Sequence, residues 1–194
     1  MRDTLTDDPN KAAGDLIVAV FGGSAPTENS RGYKEARRVG QLLAQAGFTV
    51  MNGGYMGTME AVSRGAKEAG GRTLGITSAA FGWRGIRANA WIDREAETPD
   101  LFARLRRLTQ ADGFLALKGS VGTLTEVSLT WTLLHIRAIS PAPLVLLGAH
   151  WRRVLDAFAA DSYVRPQDLA LIQVAHTPEE AVALLKGGIQ VQRT

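Results

Sequence analysis

The stretch GFLALKGSVGTLTE, residues 113–126, decides the fold of this chain. It opens with a short apolar run, which is typical of a β-strand buried on both faces of a sheet. Gly119 and Gly122 follow that run, and a long helical pattern then extends to residue 137. A buried strand that passes through a glycine-rich turn into a helix predicts a βαβ unit in a parallel sheet.

Strand and helix patterns alternate along the rest of the chain in the same way. Strands are predicted at residues 16–21, 48–51, 73–77, 113–117, 144–147 and 169–174. Helices are predicted at residues 31–46, 57–69, 101–109, 121–137, 151–160 and 179–186. Residues 78–99 follow neither pattern, and within them residues 81–91 form either a lid over a ligand, with aromatic faces on which a base can stack, or a simple surface loop. The alternation predicts an α/β fold, a Rossmann-like doubly wound parallel sheet with helices on both faces.

The composition is that of a globular protein with one core. Residues 1–14 are polar and are predicted to form a disordered tail, and residues 15–190 a single Rossmann-like domain that binds a nucleotide or phosphate. The sequence has no cysteine, which excludes disulfides and thiolate metal sites, and its three histidines lack metal-binding spacing. With no signal-like segment or membrane-spanning run in the sequence, we expect a cytoplasmic location and no contact with a membrane.

The charge pattern argues against nucleic acid as a partner. The formal net charge is +3, and residues 84–107 hold six arginines together with four acidic side chains. A nucleic-acid binder usually carries a stronger basic stripe. We interpret this cluster as either a solvated surface or an anion pocket.

Glycine-rich loops follow three of the predicted strands, at residues 22–24, 53–57 and 119–122. In parallel sheets the ligand lies beyond the carboxyl ends of the strands, so these loops are the expected site. The third loop carries the strongest signal, because its glycines let backbone N–H groups approach an anion and the following helix start favours a phosphate. Thr123 can add its hydroxyl, and Glu126 lies one helical turn further on the same side.

Each of these features also has a purely structural interpretation. The glycines of residues 119–122 form either a phosphate cradle or a tight strand-to-helix turn, and Glu126 is either a site carboxylate or a solvated helix residue. The G-G-x-x-G of residues 53–57 is a weak signal alone, since such turns are common in α/β folds. Arg104 is either a ligand contact or part of a solvated, arginine-rich helix face.

Together the three loops resemble those of the "lonely guy" (LOG) proteins, a family formerly labelled lysine decarboxylases, and the chain is similar to the related molybdenum-cofactor carrier proteins. The resemblance covers residues 17–137. The family's F-C-G-S matches residues 21–24, and its G-G-x-x-G-x-M segment matches residues 53–59. The signature P-G-G-x-G-T-x-x-E matches residues 118–126.

The resemblance implies a set of site residues. The implied phosphate- and substrate-binding residues are Gly23, Ser24, Gly53, Gly54, Gly57, Met59, Lys118, Gly119, Ser120, Gly122 and Thr123. The implied catalytic residues are Glu126 and Arg104. Three positions depart from the family pattern: Lys118 replaces the proline, Ser120 the second glycine, and Ala103 the first member of an arginine–lysine pair.

The activity that the resemblance implies is hydrolysis of the N-glycosidic bond of a nucleoside 5′-monophosphate, of the cytokinin-activating type, which releases the free base and ribose 5-phosphate. The alternative is a carrier or sensor that binds molybdenum cofactor, a nucleotide or another phosphorylated ligand without turnover, and the three departures favour it. The hydrolysis requires no metal or other cofactor, and no lysine stands in a pyridoxal-phosphate context.

The resemblance also implies self-association, since members of the family are usually homodimers. The long helix carries an apolar stripe of Leu124, Val127, Trp131 and Leu134, with further apolar residues beside it. This is more than one sheet face needs, so we expect a homodimer whose interface includes this helix.

Overall fold

The computed structural model describes residues 15–84, 87–160 and 163–191, so the tail predicted at residues 1–14 lies outside the described residues. Within them, seven parallel strands form one sheet in the order β4-β3-β2-β1-β5-β6-β7. The strands are β1 (Ile17–Phe21), β2 (Thr49–Asn52), β3 (Thr73–Ser78), β4 (Arg94–Thr98), β5 (Gly113–Ala116), β6 (Leu144–Leu147) and β7 (Ile172–Ala175). The helices are α1 (Arg31–Gln45), α2 (Thr58–Glu68), α3 (Leu101–Leu108), α4 (Val121–His135), α5 (Ala149–Ala159), α6 (Pro166–Leu169) and α7 (Pro178–Val191), with a 3₁₀ helix at Ala79–Arg84.

Helices cover both faces of this sheet, which confirms the predicted Rossmann-like α/β fold. On one face α1, α2 and α7 bury a core that includes Leu43, Val62 and Leu185. On the other face α3, α4 and α5 bury a second core that includes Leu108 and Val127. In the described part of the chain, no helix combines the length and the apolar character that crossing a membrane requires.

The direction in which strands are added reverses at β1. Strands β2, β3 and β4 extend the sheet on one side of β1, and β5, β6 and β7 extend it on the other. The chain leaves β1 toward α1 on one face and leaves β5 toward α4 on the other face. The carboxyl ends of β1 and β5 therefore border a crevice of the kind in which doubly wound sheets bind ligands.

Helix α1 has the N-cap, the terminal glycine and the buried face that its sequence predicts. Its N-cap is Ser30, whose Oγ accepts a hydrogen bond from the N–H of Tyr33 at 3.2 Å. Its last turn is followed by Gly47 at φ +85°, the left-handed conformation in which glycine commonly ends a helix. The predicted face of α1, which includes Tyr33 and Gly40, is buried.

Strand β4 lies in the segment that was predicted to be irregular, so that prediction is wrong for Arg94–Thr98. The strand is an edge strand and carries charged residues, which protect an edge from pairing with other chains but give no apolar run to detect. It pairs in register with β3, and the Thr77 hydroxyl donates to the Glu95 carboxylate at 2.6 Å.

Two boundaries near the C-terminus also differ from the prediction. The strand predicted at residues 169–174 begins only at Ile172, because the preceding residues form α6, which has Pro166 at its first position. Helix α7 does not stop at residue 186 but continues to residue 191. The extension places Ile189 in the core beside Leu185. Gly188 packs closely against Pro143, since a Cβ on Gly188 would lie 2.8 Å from the Pro143 Cβ.

Helices α1 and α2 pack with their backbones in contact through two glycines. A Cβ on Gly40 would overlap the carbonyl oxygen of Val62, and a Cβ on Gly65 would overlap that of Arg37. Both glycines therefore set the distance between the two helices, whose other contacts depend on it.

We predict that Gly65→Ala lowers the free energy of unfolding by about 2–3 kcal/mol, because the added methyl group forces the helices apart. Gly187→Ala in α7 is the matched control, since a Cβ there meets nothing within 4 Å. It should raise the free energy of unfolding by about 0.5–1 kcal/mol through the helix propensity of alanine. Urea denaturation measures both changes, and equal effects of the two substitutions would contradict the packing argument.

Candidate functional site

The three glycine-rich loops meet at Gly23. Its N–H donates to the carbonyl oxygen of Lys118 at 3.3 Å. Its carbonyl oxygen accepts hydrogen bonds from both the N–H and the hydroxyl of Thr58, at 2.9 and 3.0 Å. The loop after β1 is thus joined to the loop after β5 and to the start of α2. The loops that the sequence singled out do follow three adjacent strands and contact each other.

Gly57 makes this junction possible. It has φ +75°, and a Cβ there would lie 2.5 Å from the carbonyl oxygen of Gly23 and 2.6 Å from Ser24 Cα. Gly54 is also buried, has φ +79°, and donates its N–H to Asn52 Oδ1 at 2.8 Å. For these two glycines the structure supports the turn interpretation, and a ligand contact at either stays a prediction.

The start of α4 is open to solvent. Ser120 is its N-cap in extended conformation and makes no side-chain capping bond, and Gly122 is exposed with nothing within 4 Å of a Cβ placed there. The Thr123 side chain is buried directly behind Gly119. The N–H groups of a first helical turn have no partner within the helix and lie at the positive end of its dipole. This start therefore has the properties of an anion site.

A cleft of about 450 Å³ lies between this helix start and α1, at the carboxyl ends of β1 and β5. Its lining combines backbone and small polar side chains with two charged groups, Lys118 and Glu35. The lining residues are Gly23, Ser24, Ala25, Pro26, Ser30, Gly32, Glu35, Thr58, Leu117, Lys118, Gly119 and Ser120. The predicted residues Ser24, Lys118 and Ser120 are thus brought together in one cleft.

Arg104 of α3 and Glu126 of α4 form a buried ion pair. Nη1 of Arg104 lies 3.3 Å from Oε1 of Glu126, and the two side chains are only 8% and 10% exposed. Nε of Arg104 donates to the carbonyl oxygen of Ile76 at 2.8 Å. Neither side chain belongs to a solvated helix face, so that interpretation is wrong for both.

Burial raises the pKa of Glu126 to about 7, and the charge and hydrogen bond of Arg104 oppose this rise without cancelling it. The carboxyl group therefore changes its charge near neutral pH. Perturbed carboxyl groups of this kind are typical of acid–base or electrostatic catalysis.

Arg104 is enclosed on its other sides by aromatic rings and by the loop after β2. Its Cζ lies 5.7 Å from the ring centroid of Tyr55 and 6.0 Å from that of Phe81. A Cβ on Gly53 would overlap Nη2 of Arg104 and lie 2.7 Å from the sulfur of Met59. Gly53 and Met59 thus border the guanidinium group, and a ligand contact at either residue stays a prediction.

Tyr55, Phe81 and Asn89 complete this enclosure. Phe81 begins the segment that the sequence suggested as a lid, whereas Tyr55 and Asn89 were not predicted as site residues. Asn89 Nδ2 donates to the carbonyl oxygens of Gly54 and Tyr55 at 2.9 and 2.8 Å, which fastens the segment after β3 onto the loop. An aromatic residue inside a glycine-rich turn was a usable signal for Tyr55. No spacing rule indicates that Asn89 bonds to the loop after β2.

The sequence profile of the SLOG cluster4 family matches residues 15–140, which include the three loops and the Arg104–Glu126 pair. The chain belongs to the SLOG cluster4 family.

Individual proteins agree with this assignment. The chain is 28% identical, over 176 residues, to the cytokinin riboside 5′-monophosphate phosphoribohydrolase of Mycobacterium tuberculosis, and the match covers 87% of this chain and 92% of that one. The protein of the same name from Mycobacterium marinum is 33% identical over 129 residues, 66% of each chain. The solved molybdenum cofactor binding protein of Rippkaea orientalis has a TM-score of 0.70 at 26% identity and covers 89% of this chain and 96% of that one. The predicted resemblance to the LOG and molybdenum-cofactor carrier proteins is confirmed.

The buried carboxyl group generates a prediction about stability. The pKa of Glu126 is about 7 in the folded state against an ordinary value of 4.5, so between these pH values the folded state binds more protons than the unfolded chain. The stabilisation from the protonated carboxyl group is therefore complete below pH 4.5 and is lost as the pH rises through about 7. In Glu126→Gln the amide does not titrate and can still accept a hydrogen bond from Arg104.

We therefore expect the variant to gain stability relative to wild type, by about 1–3 kcal/mol, as the pH rises from about 5 to about 8. Urea denaturation of both proteins across this range measures the gain. A difference that stays constant with pH would show that the carboxyl group has an ordinary pKa.

Proposed function

We propose that this SLOG protein hydrolyses the N-glycosidic bond of a nucleoside 5′-monophosphate and releases the free base and ribose 5-phosphate. The observation that carries the proposal is the buried Arg104–Glu126 pair, because Glu126 lies one helical turn beyond the open start of α4. One ligand can therefore contact an anion site with its phosphate and approach a buried carboxyl group with its ribose. The names of the two mycobacterial relatives support this activity.

The 5′-phosphate is placed at the N–H groups of residues 119–123, where it fixes the position of the ribose. Lys118 is exposed at the edge of the same cleft and adds a positive charge. The hydroxyl groups of Ser24 and Ser120, which also line the cleft, supply further hydrogen-bond donors.

Cleavage of the bond between C1′ and the base nitrogen leaves positive, oxocarbenium-like charge on the ribose. The Glu126 carboxylate stabilises this charge and positions the water whose oxygen bonds to C1′. The bonding electrons leave with the base nitrogen, which takes up one proton, and the attacking water gives up one as its oxygen bonds to C1′, so that the elements of water are added across the broken bond. Arg104 holds the carboxylate in place rather than the phosphate, since its Nη1 already faces Glu126. No metal, pyridoxal phosphate or other cofactor enters this scheme.

A carrier or sensor without turnover is the second candidate function. Lys118 favours it, because a lysine at the edge of the cleft suits a ligand with more negative charge than a monophosphate. The similarity to a molybdenum cofactor binding protein points the same way. Glu126 argues against it, since a buried carboxyl group contributes nothing to holding an anion. We therefore favour the enzyme.

We further propose that the protein is a cytoplasmic homodimer, that nucleoside monophosphates are its partners and that it does not bind nucleic acid. The structure corrects the apolar stripe predicted for the interface: Val127 and Leu134 are buried against the chain's own sheet. Leu124 of the predicted stripe is 44% exposed, and Val121 and Ile136 at the two ends of α4 are 78% and 60% exposed. These three residues are the surface that we assign to the dimer.

For Glu126→Gln we predict that base release falls by a factor of about 100 or more while binding of the monophosphate changes little, because the substitution removes charge and keeps shape. Chromatography of the released base across a panel of nucleoside monophosphates, with calorimetric titration, measures both. Glu179→Gln, on the exposed surface of α7, is the control and should leave turnover unchanged. Turnover that survives the Glu126 substitution removes this residue from the mechanism, and a wild type without base release on any substrate favours the carrier.

For Gly122→Val we predict at least a roughly tenfold weaker affinity for a nucleoside monophosphate, which corresponds to about 1.4 kcal/mol. The branched side chain fills the open space before α4 through which the phosphate approaches. Gly187→Val adds the same side chain at an open position of α7 and should bind like wild type. Calorimetric titration of the three proteins with the nucleoside monophosphate measures these affinities. An unchanged affinity in a folded Gly122→Val variant would falsify the proposed phosphate position at residues 119–123.

For the dimer we predict that light scattering gives twice the chain mass of 20.8 kDa for wild type and the single mass for Ile136→Glu. The charged side chain desolvates poorly in an apolar interface. Val191→Glu, at a 75% exposed residue of α7 on the opposite face of the sheet, should remain dimeric. A monomeric wild type at micromolar concentration contradicts the assignment.

A further inference from the structure

Every side of the Arg104 guanidinium group is occupied by a different part of the chain. Nε donates to the Ile76 carbonyl oxygen, Nη1 to Glu126, and Nη2 lies against Gly53. The rings of Tyr55 and Phe81 lie near the guanidinium carbon at 5.7 and 6.0 Å. Such rings attract a cation through their negative faces, most strongly where water is excluded.

The ring of Tyr55 is itself held in place from three directions. Its hydroxyl accepts a hydrogen bond from the N–H of Ser78 at 2.8 Å. Its ring meets that of Phe81 edge to face, with centroids 5.7 Å apart and an interplanar angle of 81°. Asn89 holds its backbone carbonyl oxygen at 2.8 Å. A side chain fixed in this way is a rigid support for a cation rather than a mobile cover.

We propose that Tyr55 is a positioning residue, whose ring, backed by Phe81, holds the guanidinium group of Arg104 against the carboxyl group of Glu126. The hydrogen bond to Ile76 fixes only the Nε end of the guanidinium group, and the distance from Nη1 to Glu126 is a long 3.3 Å. The rings supply the remaining restraint. Arg104 is thereby kept from turning toward the phosphate cradle.

The position of Arg104 affects the charge of Glu126. In the described part of the chain Arg104 is the charged group that acts on this carboxyl and lowers its pKa against the effect of burial. If the ring is lost while the site stays dry, Arg104 moves off and the carboxylate loses its opposite charge. The effect on the pair is independent of the proposed function, and the effect on turnover rests on it.

The test compares Tyr55→Leu, which keeps apolar volume but removes the ring face, with Tyr55→Phe, which keeps the ring and removes the bond to Ser78. Carbon NMR of side-chain-labelled glutamate reports the pKa of Glu126, with the signal assigned by its absence in Glu126→Gln. In Tyr55→Leu we expect the pKa to be higher than in wild type by about 0.5 to 1. Tyr55→Phe should match wild type. Phe81→Leu should also raise the pKa of Glu126, and it replaces Tyr55→Leu as the test variant if Tyr55→Leu does not fold.

Turnover gives the second readout. At pH 7 the expected loss in kcat for Tyr55→Leu is about two- to fivefold, because a pKa of Glu126 raised by about 0.5 to 1 lowers the ionised fraction by that factor. The loss is recovered at higher pH as the carboxyl group ionises, and KM stays nearly unchanged because the phosphate cradle is intact. An unchanged or lower pKa of Glu126 in both leucine variants overturns the inference. A raised pKa in a protein whose wild type releases no base sustains the inference and overturns the proposed function instead.

Discussion

An arginine and a glutamate that are both removed from water must compensate each other, and the site of this SLOG protein is arranged around that requirement. Desolvation costs several kcal/mol per ion, and the mutual attraction offsets it only when the remaining polar atoms are also satisfied. The carbonyl oxygen of Ile76 and the enclosing rings meet this condition for Arg104 in part. For Glu126 burial still outweighs the attraction, which is why its pKa rises to about 7. The pair also explains why residue 53 is glycine, since any side chain there overlaps the guanidinium group.

The two chemical parts of the site differ in their access to water. The helix start at Ser120 is exposed, so a phosphate can bind there while it keeps part of its hydration. Glu126 lies one turn further along the same helix and is buried, so charge that develops next to it interacts through a medium of low polarity. In the proposed mechanism a single helix thus provides an exposed site for the phosphate and a buried carboxyl group for the reaction, and the contact of the loops at Gly23 holds the exposed site at the end of the sheet.

The fold was open to prediction because its signals are local: apolar runs, glycine turns and a capping serine. Similar local signals predict the anion site, which stays a prediction. The family resemblance named Arg104 and Glu126 as site residues but not their contact, because the two are 22 positions apart in sequence and belong to different helices. A sharper signal was present, since Arg104 shares the buried face of α3 with Leu105 and Leu108, where a solvated arginine would not fall. Strand β4 was not predicted because it is an edge strand, which carries charged residues rather than the apolar run that marks a buried strand.

The distinction between enzyme and carrier depends on which part of the ligand each unusual residue acts on. Lys118 lines the exposed cleft, and in the proposed mechanism it acts on the charged end of the ligand, so we expect its departure from the LOG signature to change affinity and selectivity. Glu126 and Arg104 are buried, and in the proposed mechanism they act at the ribose rather than at the phosphate. A buried ion pair contributes little net stability, and a carboxyl group that titrates near neutral pH has no use in holding an anion. The departure at Lys118 therefore concerns which ligand is bound, whereas the Arg104–Glu126 pair concerns whether the bound ligand reacts.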